Sequence, residues 1–262
     1  MFKVSARAVL ELGSELISSD IIAFYELIKN GFDAGSKSGV SVYFEIVIRK
    51  NRFLTLMELT KARREALTSL KELVRGALLV DAPSERIDFA HAFIEASSSY
   101  DALEMNLQKV HDLNRILIVD NGSGMSKDDL IKNFLTIGTS SRRKAVDEAI
   151  RSNAARAPYL GEKGIGRLSA MRLGNTLTVT TARESDRRMN VLHIDWSKFD
   201  DLDAYIEDIE VTPAVGEQKE FANFSGTTIE LGKLVEDWSH TRVKEMVEFD
   251  FARLTDPFSD QK

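Results

Sequence analysis

The stretch Glu26-Leu27-Ile28-Lys29-Asn30-Gly31-Phe32-Asp33-Ala34 carries a carboxylate, a carboxamide and a second carboxylate at i, i+4 and i+7. On a helix these three side chains share one polar stripe. Glu26 can take a proton from water, and Asn30 offers a neutral oxygen to a hard cation such as Mg²⁺. The same spacing also describes an ordinary solvated helix face. A second group, Asp120-Asn121-Gly122-Ser123-Gly124-Met125, follows the apolar run Ile116-Leu117-Ile118-Val119. A carboxylate at the end of a buried strand can accept a hydrogen bond from an exocyclic amine such as that of adenine. Gly122 and Gly124 let the backbone turn and admit a flat ring, although Asp and Asn beside Gly also make plain turns.

A third group is Gly161-Glu162-Lys163-Gly164-Ile165-Gly166-Arg167, ahead of helical sequence. Glycines before a helix expose amides to an anion, so a phosphate chain fits there; a flexible connection would use the same residues. The order is not the dinucleotide-binding G-x-G-x-x-G, and Arg167-Leu168 stand where a P-loop needs Lys and Ser or Thr. The fourth group is Ser225-Gly226-Thr227-Thr228-Ile229-Glu230-Leu231. The Thr227 hydroxyl can complete a hydrogen-bond network around a base, or simply be a good strand residue.

These groups need elements to hold them. A helix is predicted from Ser19 or Asp20, either of which can cap it, to Ala34-Gly35. Ile21, Phe24, Tyr25, Ile28 and Phe32 fall nearly opposite its polar stripe and are expected to pack against a sheet. A short helix is predicted over Ser5 to Leu12, and a strand over Val40 to Ile48. From about residue 54 to 111, charged and small helix formers dominate, with Leu59, Leu67, Leu70 and Val74 at roughly helical spacing. Two or three helices are expected there, broken near Asp81-Ala82-Pro83-Ser84, as an insertion. Ile116–Val119 is a strand, and Ser126 with Asp129 is a capping pair for a helix ending near Leu135. A short helix follows the third group to Leu173, with Gly174 as its stop signal. Strands follow at Thr176–Thr181, Met189–Ile194 and Thr227–Leu231, and a last helix runs from about Asp237 to Leu254. Hairpin-like spacings in the second half favour an α+β sandwich over a doubly wound parallel sheet.

A chain of 262 residues can bury one core plus a modest insertion. Its formal net charge of -6 argues against a surface built wholly for nucleic acid. With no cysteine, disulfides, thiolate metal sites and cysteine nucleophiles are excluded. No apolar run is long enough to span a bilayer, and the N-terminal residues lack a secretory hydrophobic region. The expectation is a soluble, cytoplasmic protein without a membrane partner.

In sequence order, residues 20–34, 116–125, 161–174 and 225–231 resemble the N box, the first and second glycine boxes and the distal threonine motif of the GHKL ATPases. That is the family of gyrase B, the heat-shock chaperones, the histidine kinases and MutL. The resemblance implies the Bergerat fold, a two-layer α/β sandwich with a mixed, mostly antiparallel sheet and helices on one face. It implies one domain across residues 1–262, with the helical insertion at about 54–111 and an ATP lid at about 138–160. ATP and Mg²⁺ are the implied ligands. Glu26 matches the general base that activates water, Asn30 the Mg²⁺ ligand and Asp33 an acidic residue at the edge of the site. Asp120 matches the adenine-reading carboxylate, with Gly122, Gly124 and Met125 at the base pocket and Thr227 nearby. Gly161, Lys163, Gly164, Ile165 and Gly166 match the phosphate-facing loop. Ser140, Ser141 and Lys144 belong to the lid and can meet phosphates when it closes.

Histidine kinases of this superfold usually place Asn where Glu26 stands, and all four histidines here follow the N box. The pattern therefore resembles the ATP-hydrolysing branch, in which ATP closes the lid and drives homodimerisation. Gly138–Arg142 and Gly161–Arg167 look most like bacterial MORC-like or stand-alone GHKL proteins. Hydrolysing members usually continue into a second domain that supplies a lysine to the γ-phosphate. This chain thus reads as an excised domain or one that works with a partner, with slow hydrolysis to ADP. The partner, protein or DNA, is expected to engage through a region beyond Lys262 or through the insertion. The competing reading is a non-hydrolysing nucleotide sensor, with a histidine kinase catalytic domain more distant.

Overall fold

Ser19 opens the first long helix, its hydroxyl accepting from the Ile22 amide at 3.3 Å, and α1 runs Asp20–Asp33. The computed structural model describes residues 4–8, 10, 11, 19–135, 169–201 and 203–250. After α1 come β1 (Val40–Glu45), α2 (Lys50–Ala62), α3 (Leu67–Gly76), α4 (Ser84–Glu95), α5 (Tyr100–Asp112) and β2 (Arg115–Asp120). A single turn, α6 (Lys127–Asp129), leads into a π-helical segment, Leu130–Leu135. Past the second glycine box lie α7 (Ala170–Leu173), β3 (Gly174–Ala182), β4 (Arg188–Asp195), β5 (Ala214–Gln218), β6 (Gly226–Leu234) and α8 (His240–Glu245). The six strands form one sheet in the order β1-β2-β6-β3-β4-β5. β3 pairs antiparallel with β4, Val179 opposite Leu192, and β4 pairs antiparallel with β5. The fold is α+β, as the sequence leads one to expect.

Two compact units divide the described residues. The first comprises those up to Val42 and from Ile118 to Glu230; the second comprises Tyr43–Leu117 and those from Leu231 onward. In the first unit, α1 buries Ala23, Phe24, Leu27 and Gly31. That stripe lies beside the Glu26, Asn30 and Asp33 stripe, not opposite it. Phe32, expected to pack inward, is 57% exposed. At 100° per residue position 32 has already rotated past the buried face.

The second unit holds the helical insertion. Four helices form where two or three were expected, and the break near Pro83 separates α3 from α4. Their core includes Leu70, Val74, Ile94, Leu103 and Leu107, each at most 1% exposed. Burying such side chains stabilises the fold by about 1.5–3 kcal/mol each. Asn114 fastens this core to the chain after β1: its Oδ1 accepts from the amides of Val47 and Ile48, and its Nδ2 donates to Ile48 O. Glu45 accepts from both Arg86 and Arg115. Arg49 grips Asp237 with two hydrogen bonds, at 2.9 and 2.6 Å. The ion pair raises the Arg49 pKa and lowers that of Asp237. Strand β5 was not foreseen; four of its five residues are exposed, leaving little hydrophobic pattern to read.

Candidate functional site

The sheet order makes β2, β6 and β3 neighbours, and each brings one polar residue to the same place in the first unit. Asp120 ends β2 and is 8% exposed. Its Oδ1 accepts the Gly122 amide at 2.8 Å, and its carboxylate also takes a hydrogen bond from the Thr227 backbone. Burial pushes the Asp120 pKa up, while those two N–H groups pull against it. A charge on this carboxylate therefore carries a desolvation cost that the two N–H groups only partly offset.

Thr227, on β6, is 6% exposed, and Thr181, on β3, is fully buried. The two hydroxyl oxygens lie 3.0 Å apart. Thr181 Oγ1 also donates to Gly226 O and accepts the Met125 amide, both at 2.9 Å. Met125 is held from the other side as well, its carbonyl accepting from Asn190 Nδ2. One threonine thus joins the first glycine box to the distal threonine motif.

The end of α1 meets the turn that follows β2. The Ser123 amide donates to Ala34 O at 2.9 Å, and Asn121 N donates to Ser36 Oγ at 3.0 Å. Gly31 lets the helix approach: a Cβ there would stand 2.6 Å from Val40 Cγ2 and 3.1 Å from Asp120 Cβ. Gly124 is set with φ +64°, and a Cβ on it would stand 1.8 Å from Ala182 O. The Asp33 Oδ2 atom is buried with no hydrogen-bond partner. A buried carboxylate oxygen left unpaired is costly, so a donor from outside the chain fits there.

Glu26 and Asn30 are half-buried on the same helix. Among the described residues no cluster of three His, Asp or Glu side chains stands ready for a metal. Mg²⁺ keeps several waters and takes phosphate oxygens, so it needs few protein ligands, and one asparagine oxygen suits that role. Ser126 and Asp129 form the expected capping box after the first glycine box. The Asp129 carboxyl, pulled upward by burial, is taken below its usual range by its hydrogen bonds from Ser126 and its pairing with Arg183. Ser140, Ser141, Lys144, Gly161, Lys163, Gly164, Ile165 and Gly166 lie outside the described residues, as does the whole 138–160 segment.

Sequence reasoning missed Gly31 and Thr181. Glycine inside a helix costs about 1 kcal/mol against alanine, so Gly31 carried a readable hint of close packing. Thr181 looked like any strand threonine.

The sequence model of the family described as "Histidine kinase-, DNA gyrase B-, and HSP90-like ATPase" matches residues 69–228. The chain belongs to this family. The match takes in Asp120, both glycine-rich segments and Thr227; α1 lies outside it, and its likeness to the N box rests on its residues alone. The chaperone protein HtpG of Nitrosomonas europaea is 28% identical over 129 residues, 48% of this chain and 20% of that one. HtpG of Rickettsia rickettsii (strain Iowa) is 28% identical over 134 residues, 50% of this chain and 21% of that one. Bovine mitochondrial heat shock protein 75 kDa is 27% identical over 114 residues, 44% and 16% of the two chains. The match spans about a fifth of the length of these relatives. Family membership supports ATP binding by this GHKL chain. No helix among the described residues is long and apolar enough to cross a membrane.

Proposed function

We propose that this chain binds ATP with Mg²⁺ and hydrolyses it slowly to ADP and phosphate, as a single GHKL module carrying a helical insertion. The observation that carries the reading is the buried Asp120 carboxylate at the end of β2, held by two backbone N–H groups beside Thr227. Such a group suits the exocyclic amine of adenine. Gly122, Gly124 and Met125 form the wall along the base, and Asp33 takes a donor at the edge of the site. Asn30 would hold Mg²⁺, which would supply positive charge against the phosphates. Glu26, four residues earlier on the same helix, accepts the proton of the attacking water.

Residues 138–160 act as the lid, with Ser140, Ser141 and Lys144 meeting the phosphates. Gly161, Lys163, Gly164, Ile165 and Gly166 cradle them. Lid closure and homodimerisation make the nucleotide a conformational switch. Hydrolysis is slow because phosphoryl transfer depends on neutralising and positioning the γ-phosphate, and further charge must come from a partner. The insertion supplies a surface for such a protein or DNA partner.

Calorimetric titration with adenylyl imidodiphosphate and Mg²⁺ tests the base site, on the wild type and on Asp120→Asn. Binding that is lost in the variant supports it; a folded wild type that binds nothing refutes it. Glu26→Ala then tests hydrolysis: phosphate release should fall about a hundredfold or more with affinity retained. A wild type that binds but never turns over would leave a nucleotide sensor.

A further inference from the structure

Lys219, the residue after β5, is turned inward and is only 8% exposed. Its ammonium donates to Arg183 O at 3.2 Å, Glu184 O at 2.9 Å and Phe224 O at 2.9 Å. An ammonium has three N–H bonds, and three carbonyls take them. All three partners are backbone dipoles, none a carboxylate. A charge taken out of water is costly, so the converging dipoles are what hold it there. The first two carbonyls belong to the turn between β3 and β4, and the third to the loop that leads into β6. That turn reaches the segment after β2, where Arg183 pairs with Asp129. Asp186 accepts the Arg183 amide at 2.9 Å and also accepts from Asn190 Nδ2, which in turn donates to Met125 O. The Phe224 loop runs straight into Gly226 and Thr227. One ammonium thus joins the two stretches that hold Met125 and Thr227.

We propose that Lys219 serves as a built-in monovalent cation, a positioning residue that ties the β3–β4 turn to the loop before β6 and so keeps Met125 and Thr227 in place. Carbonyl oxygens that converge on one point repel one another unless a positive charge stands between them. A neutral side chain leaves that repulsion uncancelled. A free ion the size of an ammonium cancels it, as rings of backbone carbonyls do for such ions elsewhere. Potassium and ammonium have that size; sodium and lithium are smaller and need the oxygens closer than the turn and the loop stand. With the lysine shortened, the cage becomes a potassium site. Lys219 touches no ligand; it acts through the two stretches it joins. The part of the inference that concerns nucleotide rests on the reading above, and the part that concerns the ion does not.

The test is thermal melting of the wild type and Lys219→Ala in potassium, ammonium, sodium and choline chloride at equal ionic strength. Calorimetry with ADP and Mg²⁺ follows in the potassium and sodium salts. The wild type should melt alike in potassium and sodium. Lys219→Ala should melt below the wild type in sodium and choline, and roughly 3 °C or more higher in potassium or ammonium than in sodium. Its ADP affinity should fall at least about fivefold below the wild type in sodium and recover to within about twofold in potassium. A role in packing alone gives a loss that no ion reverses, so Lys219→Ala without a preference for potassium overturns the proposal. If Lys219→Ala does not fold, Lys219→Ser takes its place, and failure of both to gain from potassium is equally fatal. An ion preference with ADP affinity unchanged from the wild type overturns the positioning of Met125 and Thr227. A wild type that binds no ADP removes the nucleotide reading, while the melts still decide for or against the built-in cation.

Discussion

Gly31 sits against Asp120 so closely that one added methyl group would stand 3.1 Å from the aspartate's Cβ. The same methyl would lie 2.6 Å from Val40 Cγ2, so the Val40 side chain must turn away and Asp120 at the end of β2 must give by a few tenths of an ångström. A residue within α1 thereby bears on where the Asp120 carboxylate stands. The glycine is a packing requirement, kept despite its low helix propensity.

Gly31→Val should therefore destabilise the protein by about 1–3 kcal/mol and weaken adenine nucleotides by more than that loss of fold alone explains. Gly76, the last residue of α3, is the control, since a Cβ there meets nothing within 4 Å. Gly76→Ala should leave the urea midpoint and the nucleotide affinity near their wild-type values. Equal behaviour of the two variants would mean that α1 shifts freely.

Gly124→Ala is the more severe change. Its Cβ would lie 1.8 Å from Ala182 O and 2.4 Å from Ala182 C, both backbone atoms of a central strand. The φ of +64° adds strain of its own for a residue with a side chain. A loss of at least about 2 kcal/mol is expected, with little thermal stabilisation by ADP. An unchanged melting temperature would show that the first glycine box can detach from β3 at no cost.

What was legible in the sequence was local. The Ser19 cap, the Ser126–Asp129 box and the strand before Asp120 are set by residues within a few positions of each other, and all formed where expected. Thr181 was invisible because its partners Met125 and Thr227 are 56 and 46 residues away. Phe32 misled because helical periodicity gives relative angles and not which neighbour arrives; the face of α1 that is buried lies beside the polar stripe. The insertion was readable as helical, but its four-helix division depended on capping turns such as Ser99, whose hydroxyl accepts from Ala102 N. β5 carried too few apolar residues to announce itself.

A charged Asp120 costs the fold stability. Burial raises its pKa, so the folded state holds its proton more tightly than the unfolded chain. Folding thus carries no penalty from this group below the unfolded pKa of 3.8, and a growing one as pH rises through the folded value. Asp120→Asn should melt no lower than the wild type at pH 7, and higher if its amide keeps the Gly122 and Thr227 bonds, while ADP ceases to stabilise it. A variant that melts well below the wild type without ligand would mean that the charge itself holds the loop.

His111 makes a separate prediction for the second unit. Its ring is 6% exposed and stacks on Phe53, centroids 4.3 Å apart at 22°. Burial holds its pKa below the ordinary 6.5 and Lys50 lowers it further, whereas Asp112 and Asp237 oppose the shift. The unfolded chain then binds the proton more readily than the folded one. Stability from the neutral ring is fully present above pH 6.5 and is lost as pH falls from there toward the folded pKa. The loss cannot exceed about 1.4 kcal/mol per pH unit for one group. Asp237, whose pKa is lowered first by its hydrogen bond from Arg49, loses its contribution only as pH falls below its unfolded value of 3.8, so the two effects occupy different windows. Urea unfolding at pH 7.5 and 5.5 separates them. The wild type should lose stability over that interval, and His111→Leu should lose measurably less. Equal slopes in the two proteins would show that the ring accepts its proton without leaving the core.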